Sequence, residues 1–163
     1  SNLGLQAQIK WPNDVVLNGK KLVGILTEMS AQMNYIEYLV TGIGINANLR
    51  EFPEELEDKA TSLQKEIGHK VNRSALIAEC MEKIEENYEI FVKTQDLSGL
   101  MAAYQEALVN QDQQVRVLEP GHEYTGVARG INAMGELLVE KEDGTITEVY
   151  AGEVSVRGLY GYV

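Results

Sequence analysis

The sequence is short of cysteine, histidine and positive charge. Its 163 residues hold one cysteine and two histidines. Cys80 has no partner for an intrachain disulfide and no metal-ligand spacing around it. It stands inside an apolar helical pattern and reads as a buried structural thiol, and the scarcity of cysteine points to a reducing cytoplasm. His69 and His122 stand alone and read as exposed loop residues, so no metal site is expected. Against 25 Asp and Glu there are 14 Lys and Arg, a formal net charge of −11. Binding a phosphate backbone needs clustered basic residues, which excludes nucleic acid as a ligand of this chain. The acidic runs "EFPEELED" and "EKIEENYE" read as solvated helix faces. No apolar run approaches the length of a membrane span, and the start shows no signal-peptide pattern. A P-loop and a G-x-S-x-G elbow are missing too. "GIGIN" has two glycines of a dinucleotide fingerprint but no helix start after it.

What is present suits a soluble globular protein: 44% of residues are hydrophobic and 24% charged. The opening "SN" reads as an expression scar, and the chain then runs at once into a strand, as expected of a piece of a longer protein. The first informative stretch is "IKWPNDVVLNGKKLVGIL". Asn18-Gly19 is a strong signal for a two-residue type I′ hairpin. Such a turn sets Leu17 opposite Lys20, Val16 opposite Lys21 and Asp14 opposite Val23. Asp14, Val16, Lys21 and Val23 then share a face, with Asp14 and Lys21 diagonal neighbours. Pro12 cannot donate to a ladder and belongs at an edge, a bulge or a strand start. A third strand runs over "YIEYLVTGIGIN", where Gly42 and Gly44 strip one face of side chains beside Val40 and Asn46.

Short helical stretches follow, up to Gly68. Asn72 caps a helix whose Leu76, Ile77, Cys80, Met81, Ile84, Tyr88 and Phe91 recur at helical spacing. A shorter helix aligns Leu97, Leu100, Met101, Tyr104 and Leu108. Both stripes are read as core. The texture changes near Val109–Gln111. Five short alternating runs then appear, from "VRVL" to "EVSVRGLY", separated by turn signals at Pro120-Gly121, Gly135 and Asp143-Gly144. They predict a small antiparallel barrel. The expected domains are residues 1–110 and 111–163.

Lys10, Asp14 and Lys21 allow two readings. Edge strands often carry salt-bridged charges. Alternatively, two ammonium groups beside a bare glycine strand form an anion site, with Asn13 and Asn46 adding amide recognition. "KWPNDVVLNGKKLVGILTE", then "TGIGINAN" and "KATSL", and the terminal small barrel together resemble the biotin–protein ligase family over nearly the whole chain.

The resemblance implies an α/β (α+β) fold: the mixed-sheet part of a class II synthetase-like catalytic domain with helices, then an SH3-like β-barrel. It implies enzymes that use ATP and Mg²⁺ to convert biotin to biotinyl-5′-AMP and pass the acyl group to a lysine of the biotin-carrier domain of a biotin-dependent carboxylase. Lys21 matches the lysine that meets the biotin carboxylate and the acyl-adenylate. Lys10 and Asn13 match positions near the phosphates, with Asn13 also near the metal. Asp14 matches the residue that orients or helps deprotonate the acceptor lysine. Gly24, Leu26, Gly42 and Gly44 match the biotin pocket, and Asn46 the position facing adenine. On a regular strand Lys21 and Gly24 have opposite parity, so a bulge or a backbone role for Gly24 is required. The family's G-R-G-R-x-G-R loop is absent from these 163 residues. It belongs upstream, as do the first strands of the catalytic sheet and the DNA-binding helix-turn-helix of repressor-type members. The chain by itself is therefore expected to have little or no ligase activity, and its open sheet to favour a homodimer. A lipoate-type acyl ligase is the alternative within the same broad fold. A non-catalytic module that docks protein partners is the alternative of another class.

Overall fold

A computed structural model describes residues 3–33, 35–119, 121–151 and 155–158. The first sheet has the order β1-β2-β3-β4, built from Gln8–Lys10, Asp14–Leu17, Lys20–Gln32 and Tyr35–Ile45. Every strand pair is antiparallel; parallel pairing is confined to isolated bridges, Ile9 with Leu108 and Lys21 with Ala60. The β2–β3 hairpin turns on Asn18 and Gly19, with φ of 52° and 75°. Those are the left-handed values a type I′ turn demands, which an asparagine tolerates and a glycine adopts freely.

The register departs from the expected one by a single residue. Leu17 faces Lys20 and Val16 faces Lys21 as expected, but Val15 faces Val23 and Asp14 faces Gly24. Leu22 is the extra residue of a β-bulge. Its cause is visible in the packing. Leu22 and Val23 are consecutive, yet both are buried in one core with Leu17 and Leu63. A regular strand would send one of them to the opposite face. Val23 therefore leaves the face of Asp14 and Lys21, which corrects the expected pairing.

Ser62 caps α1 (Leu63–Ile67), accepting from the Lys65 amide and donating to the Leu49 carbonyl. Helix α2 (Arg73–Thr94) is capped by the Asn72 side chain, as its sequence predicts. Only its start is anchored: Leu76 packs on the first-sheet core. Beyond it Ile77, Met81, Ile84, Tyr88 and Phe91 are exposed, and Cys80 is only half-buried. The expectation that this stripe is core is thus corrected, because no described element lies against it. The β3–β4 ribbon likewise exposes Met29, Tyr38 and Leu39 where it runs past the end of β2.

The second sheet has the order β8-β7-β6-β5-β9, from Ile146–Val149, Leu137–Glu140, His122–Ile131, Gln114–Glu119 and Ser155–Gly158. Val115, Val117, Ala128, Ile131, Leu137, Val139, Val149 and Val156 bring all five strands to one core. Helix α3 (Met101–Ala107) covers it with Met101 and Tyr104, joined by Leu97 and the buried Leu108, so four of the five residues of the second stripe meet the core as expected, while Leu100 is half-buried outside it. Glycines 135 and 144 make the expected turns with positive φ. Pro120 of the expected Pro120-Gly121 turn lies outside the described residues, as do both ends of "EVSVRGLY". One core member comes from far away. Trp11, in the β1–β2 turn, is 3% exposed within this second core.

Replacing Gly19 by alanine forces a Cβ into the left-handed region. The expected cost is about 1 kcal/mol, read as a lower urea midpoint with an unchanged m-value. An unchanged midpoint would show that the turn does not set the hairpin register.

Candidate active site

One row of paired residues crosses all four strands of the first sheet: Lys10 faces Asp14, Asp14 faces Gly24, and Gly24 faces Gly44. Leu26 faces Gly42 on the same side of the sheet. The bulge brings Lys21 to this side as well. Its Nζ lies 2.6 Å from Asp14 Oδ1. A Cβ added at Gly24 would stand 3.0 Å from Lys21 Cε and 3.2 Å from its Nζ, so the lysine arm lies over the glycine. Gly42 and Gly44 differ. Added Cβ atoms there would meet only backbone carbonyls, at 3.8 and 3.6 Å. No described side chain comes within 4 Å of those positions.

Lys10 and Asp14 are buried, at 6% and 8% exposure. Burial pushes the Lys10 ammonium below the ordinary lysine range; Asp14 pulls it back up, while Arg157 and Lys21 push it further down. Asn13 is exposed, and its amide donates to the Ile25 carbonyl at 2.7 Å while its own carbonyl accepts from the Ile25 amide. It clasps the turn to β3. Asn46 follows the end of β4. Its amide donates to the Leu22 carbonyl and its carbonyl accepts from Leu63. The bulge, the end of the glycine strand and the start of α1 are thereby tied together. The "KAT" of "KATSL" adds a further tie: the Lys21 amide donates to Lys59, and the Thr61 amide to Lys21.

Lys21 and Asn46 open onto a cavity of about 630 Å³. Leu49, Phe52 and Leu56 line its apolar side, and Lys59 and Arg157 add two cations. On a chain of net charge −11, Lys10, Lys21, Lys59 and Arg157 gather around Asp14 and Glu51. That local excess suits an anion with a flat apolar body. A hollow of about 710 Å³ between residues 5–8 and α3 is larger, but Glu106 is the only charged residue in its lining. The structure thus brings Lys10, Asp14, Lys21, Gly24, Leu26, Gly42 and Gly44 to one face, with Asn46 at its rim and Asn13 engaged elsewhere. Phe52, Lys59 and Arg157 escape the sequence reading. Lys59 had a signal in "KATSL". Arg157, in a strand of the other sheet, had none.

Residues 2–46 match the model of the biotin/lipoate A/B protein ligase family, and residues 112–157 that of the biotin protein ligase C terminal domain. The chain is 35% identical over 155 residues to the bifunctional ligase/repressor BirA of Bacillus subtilis, covering 94% of this chain and 47% of that protein. It is 30% identical over 148 residues to a biotin–[acetyl-CoA-carboxylase] ligase of Mycobacterium tuberculosis, covering 90% of this chain and 52% of the relative. The chain spans about half the length of these curated relatives. Among solved structures, a biotin protein ligase from Aquifex aeolicus in complex with biotin and ATP superposes with a TM-score of 0.79. It is 31% identical, and the match covers 93% of this chain and 62% of that one. The apo form gives 0.82 at 33% identity, covering 93% and 65%.

Two outcomes test this geometry. The folded state holds the Lys10 proton less tightly than the unfolded chain does. Its stability penalty is therefore full below the lowered pKa and gone above the ordinary one. Wild-type stability should therefore gain as pH climbs through that window, and Lys10→Met should lack that gain; the same pH dependence of the melting temperature in both refutes the reading. Gly24→Ala should keep the fold but push the Lys21 ammonium off Asp14. The pair joins a half-exposed lysine to a buried carboxylate, so its loss should cost up to about 1 kcal/mol of stability, read as a lower urea midpoint. An unchanged midpoint would show that Lys21 does not need its place over the glycine.

Proposed function

This chain belongs to the biotin protein ligase family, and from that premise we propose that it forms one wall of a biotinyl-adenylate site. The observation that carries the proposal is the row from Lys10 to Gly44, with Lys21 laid across it at the mouth of the cavity. The reaction assigned to the whole enzyme has two steps. The biotin carboxylate attacks the α-phosphorus of ATP and pyrophosphate leaves. A lysine amine of a carboxylase biotin-carrier domain then attacks the acyl carbon and AMP leaves.

Each residue has a task in that sequence. The Lys21 ammonium offsets the repulsion between two anions that must approach, and the charge that develops where they meet. Lys10 and Arg157 add positive charge toward the phosphates. Gly42 and Gly44 leave the sheet flat enough for the biotin rings, with the apolar Leu26 beside them, and Gly24 makes room for the Lys21 arm. Asn46 and the apolar side of the cavity, with Phe52, receive adenine. Asp14 first holds Lys21 in place. When Lys21 turns to the ligand, Asp14 is positioned to take a proton from the acceptor amine, which is nucleophilic only when neutral. Asn13 acts by clasping the turn that carries Lys10 and Asp14. Mg²⁺ accompanying a nucleotide is held by its phosphates and water with one or two carboxylates, and no group of three or more His, Cys, Asp or Glu gathers among the described residues to hold it by protein alone. Asp14 is already paired with Lys21. No step here runs through the metal.

No described helix is long and apolar enough to cross a membrane, and we place the protein in the cytoplasm, where carboxylases of this kind work. The exposed ribbon and α2 stripe favour self-association of the chain.

Calorimetry with a non-hydrolysable biotinyl-adenylate mimic tests the assignment. The chain should bind it, and Lys21→Ala should weaken binding at least tenfold, about 1.4 kcal/mol. Biotinyl-AMP formation by the chain alone should fall far below that of a full-length relative, because no G-R-G-R-x-G-R loop covers the site. Failure to bind the mimic even with a segment carrying that loop supplied would sink the proposal.

A further inference from the structure

Trp11 is part of the site turn by sequence and of the second core by packing. Lys10 precedes it, and Asn13 and Asp14 follow within three residues. Its indole Nε1–H donates to the Gly135 carbonyl at 2.9 Å, across 124 residues of sequence. The neighbouring strand is gripped from the same side: the Val109 amide donates to the Ile9 carbonyl at 2.9 Å, and Ile9 bridges to Leu108. β1 has only three residues and one strand partner, β2. So short a strand frays unless something else holds it. The segment between α3 and the second sheet holds it, and that sheet also supplies Arg157 to the cavity.

We infer that Trp11 is a positioning residue: by gripping the indole, the second sheet sets where Lys10 and Asp14 stand relative to Lys21, and a nucleotide held there stabilises that sheet in return. The second half of this statement rests on the adenylate reading of the site; the first half does not. The physical argument is one of burial. Lys10 is a buried residue whose charge is offset by Asp14 across the β1–β2 pair. It stays covered only while the turn is pinned. The groups facing it are Asp14 on β2, Lys21 on β3 and Arg157 on β9. Three of the four strands that carry these charges belong to the first sheet and one to the second, so a shift between the sheets changes the field at Lys10. Linkage makes the effect reciprocal: whatever the grip does for ligand binding, ligand binding does for the grip.

Trp11 is the sole tryptophan of the chain, so its emission reports its own docking. The test uses the whole chain labelled with ¹³Cε-lysine, as wild type, Trp11→Phe and Trp11→Ala. In wild type Lys10 should titrate below the other lysines. In Trp11→Ala its titration should move up toward theirs, with helix and sheet content retained by circular dichroism. Trp11→Phe keeps an apolar ring without the N–H donor and should shift it the same way by less. It also serves as the readout should Trp11→Ala fail to fold. A Lys10 titration that ignores both substitutions overturns the positioning role. In parallel, ATP is titrated into wild type. A change in Trp11 emission with saturation supports the reciprocal half, and ATP binding measured by calorimetry without such a change overturns it. If ATP does not bind at all, the adenylate reading falls together with the reciprocal half, while Lys10 still decides the positioning role.

Discussion

One extra residue in a strand organises the site. Leu22 and Val23 both need the core beneath the first sheet, and a strand can satisfy two neighbours on one face only by bulging. The bulge inverts the parity of the residues after it. Lys21, before it, and Gly24, after it, come to the same side. The lysine arm can then lie over a position without a side chain and meet Asp14. The bulge carbonyl also receives the Asn46 amide, so the same irregularity fixes the end of the glycine strand. A hydrophobic demand on one face of the sheet thus sets the charge geometry on the other.

The site is correspondingly costly to hold. It concentrates cations on an acidic protein, buries one of them and leaves a strip of strand bare. None of these features adds to stability, and buried charge subtracts from it. The offsetting stability lies outside the site, in the apolar core under the first sheet and the second core that holds Trp11. Burying an indole there is worth several kcal/mol by the measure of large-to-small core substitutions, about 3–5. The second sheet, which among its described residues brings only Arg157 to the cavity, contributes mainly as an anchor.

The long ribbon and α2 present the opposite case. They carry apolar residues at the right spacing and bury few of them. A two-stranded ribbon is marginal alone in water. Its apolar residues, like the α2 stripe, stand exposed among the described residues.

Much was legible from local chemistry. The Asn18-Gly19 turn, the Asn72 cap, the α3 stripe and the alternating strands of the second sheet all depend on neighbours in sequence. So does the gathering of Lys10, Asp14 and Lys21, because a hairpin brings near residues together. The opposite parity of Lys21 and Gly24 even posed the question that the bulge answers. Three things depended on contacts distant in sequence. Spacing on α2 specified an apolar face but not whether anything would meet it. Trp11 carried no mark of belonging to a core formed more than a hundred residues later. Arg157 carried no signal in the sequence, and only the pairing of β9 with β5 brings it to the cavity beside Lys21. Sequence determines what a residue can do through its own backbone and near neighbours. Tertiary structure decides which distant surface it meets, because that choice is made by the packing of whole layers.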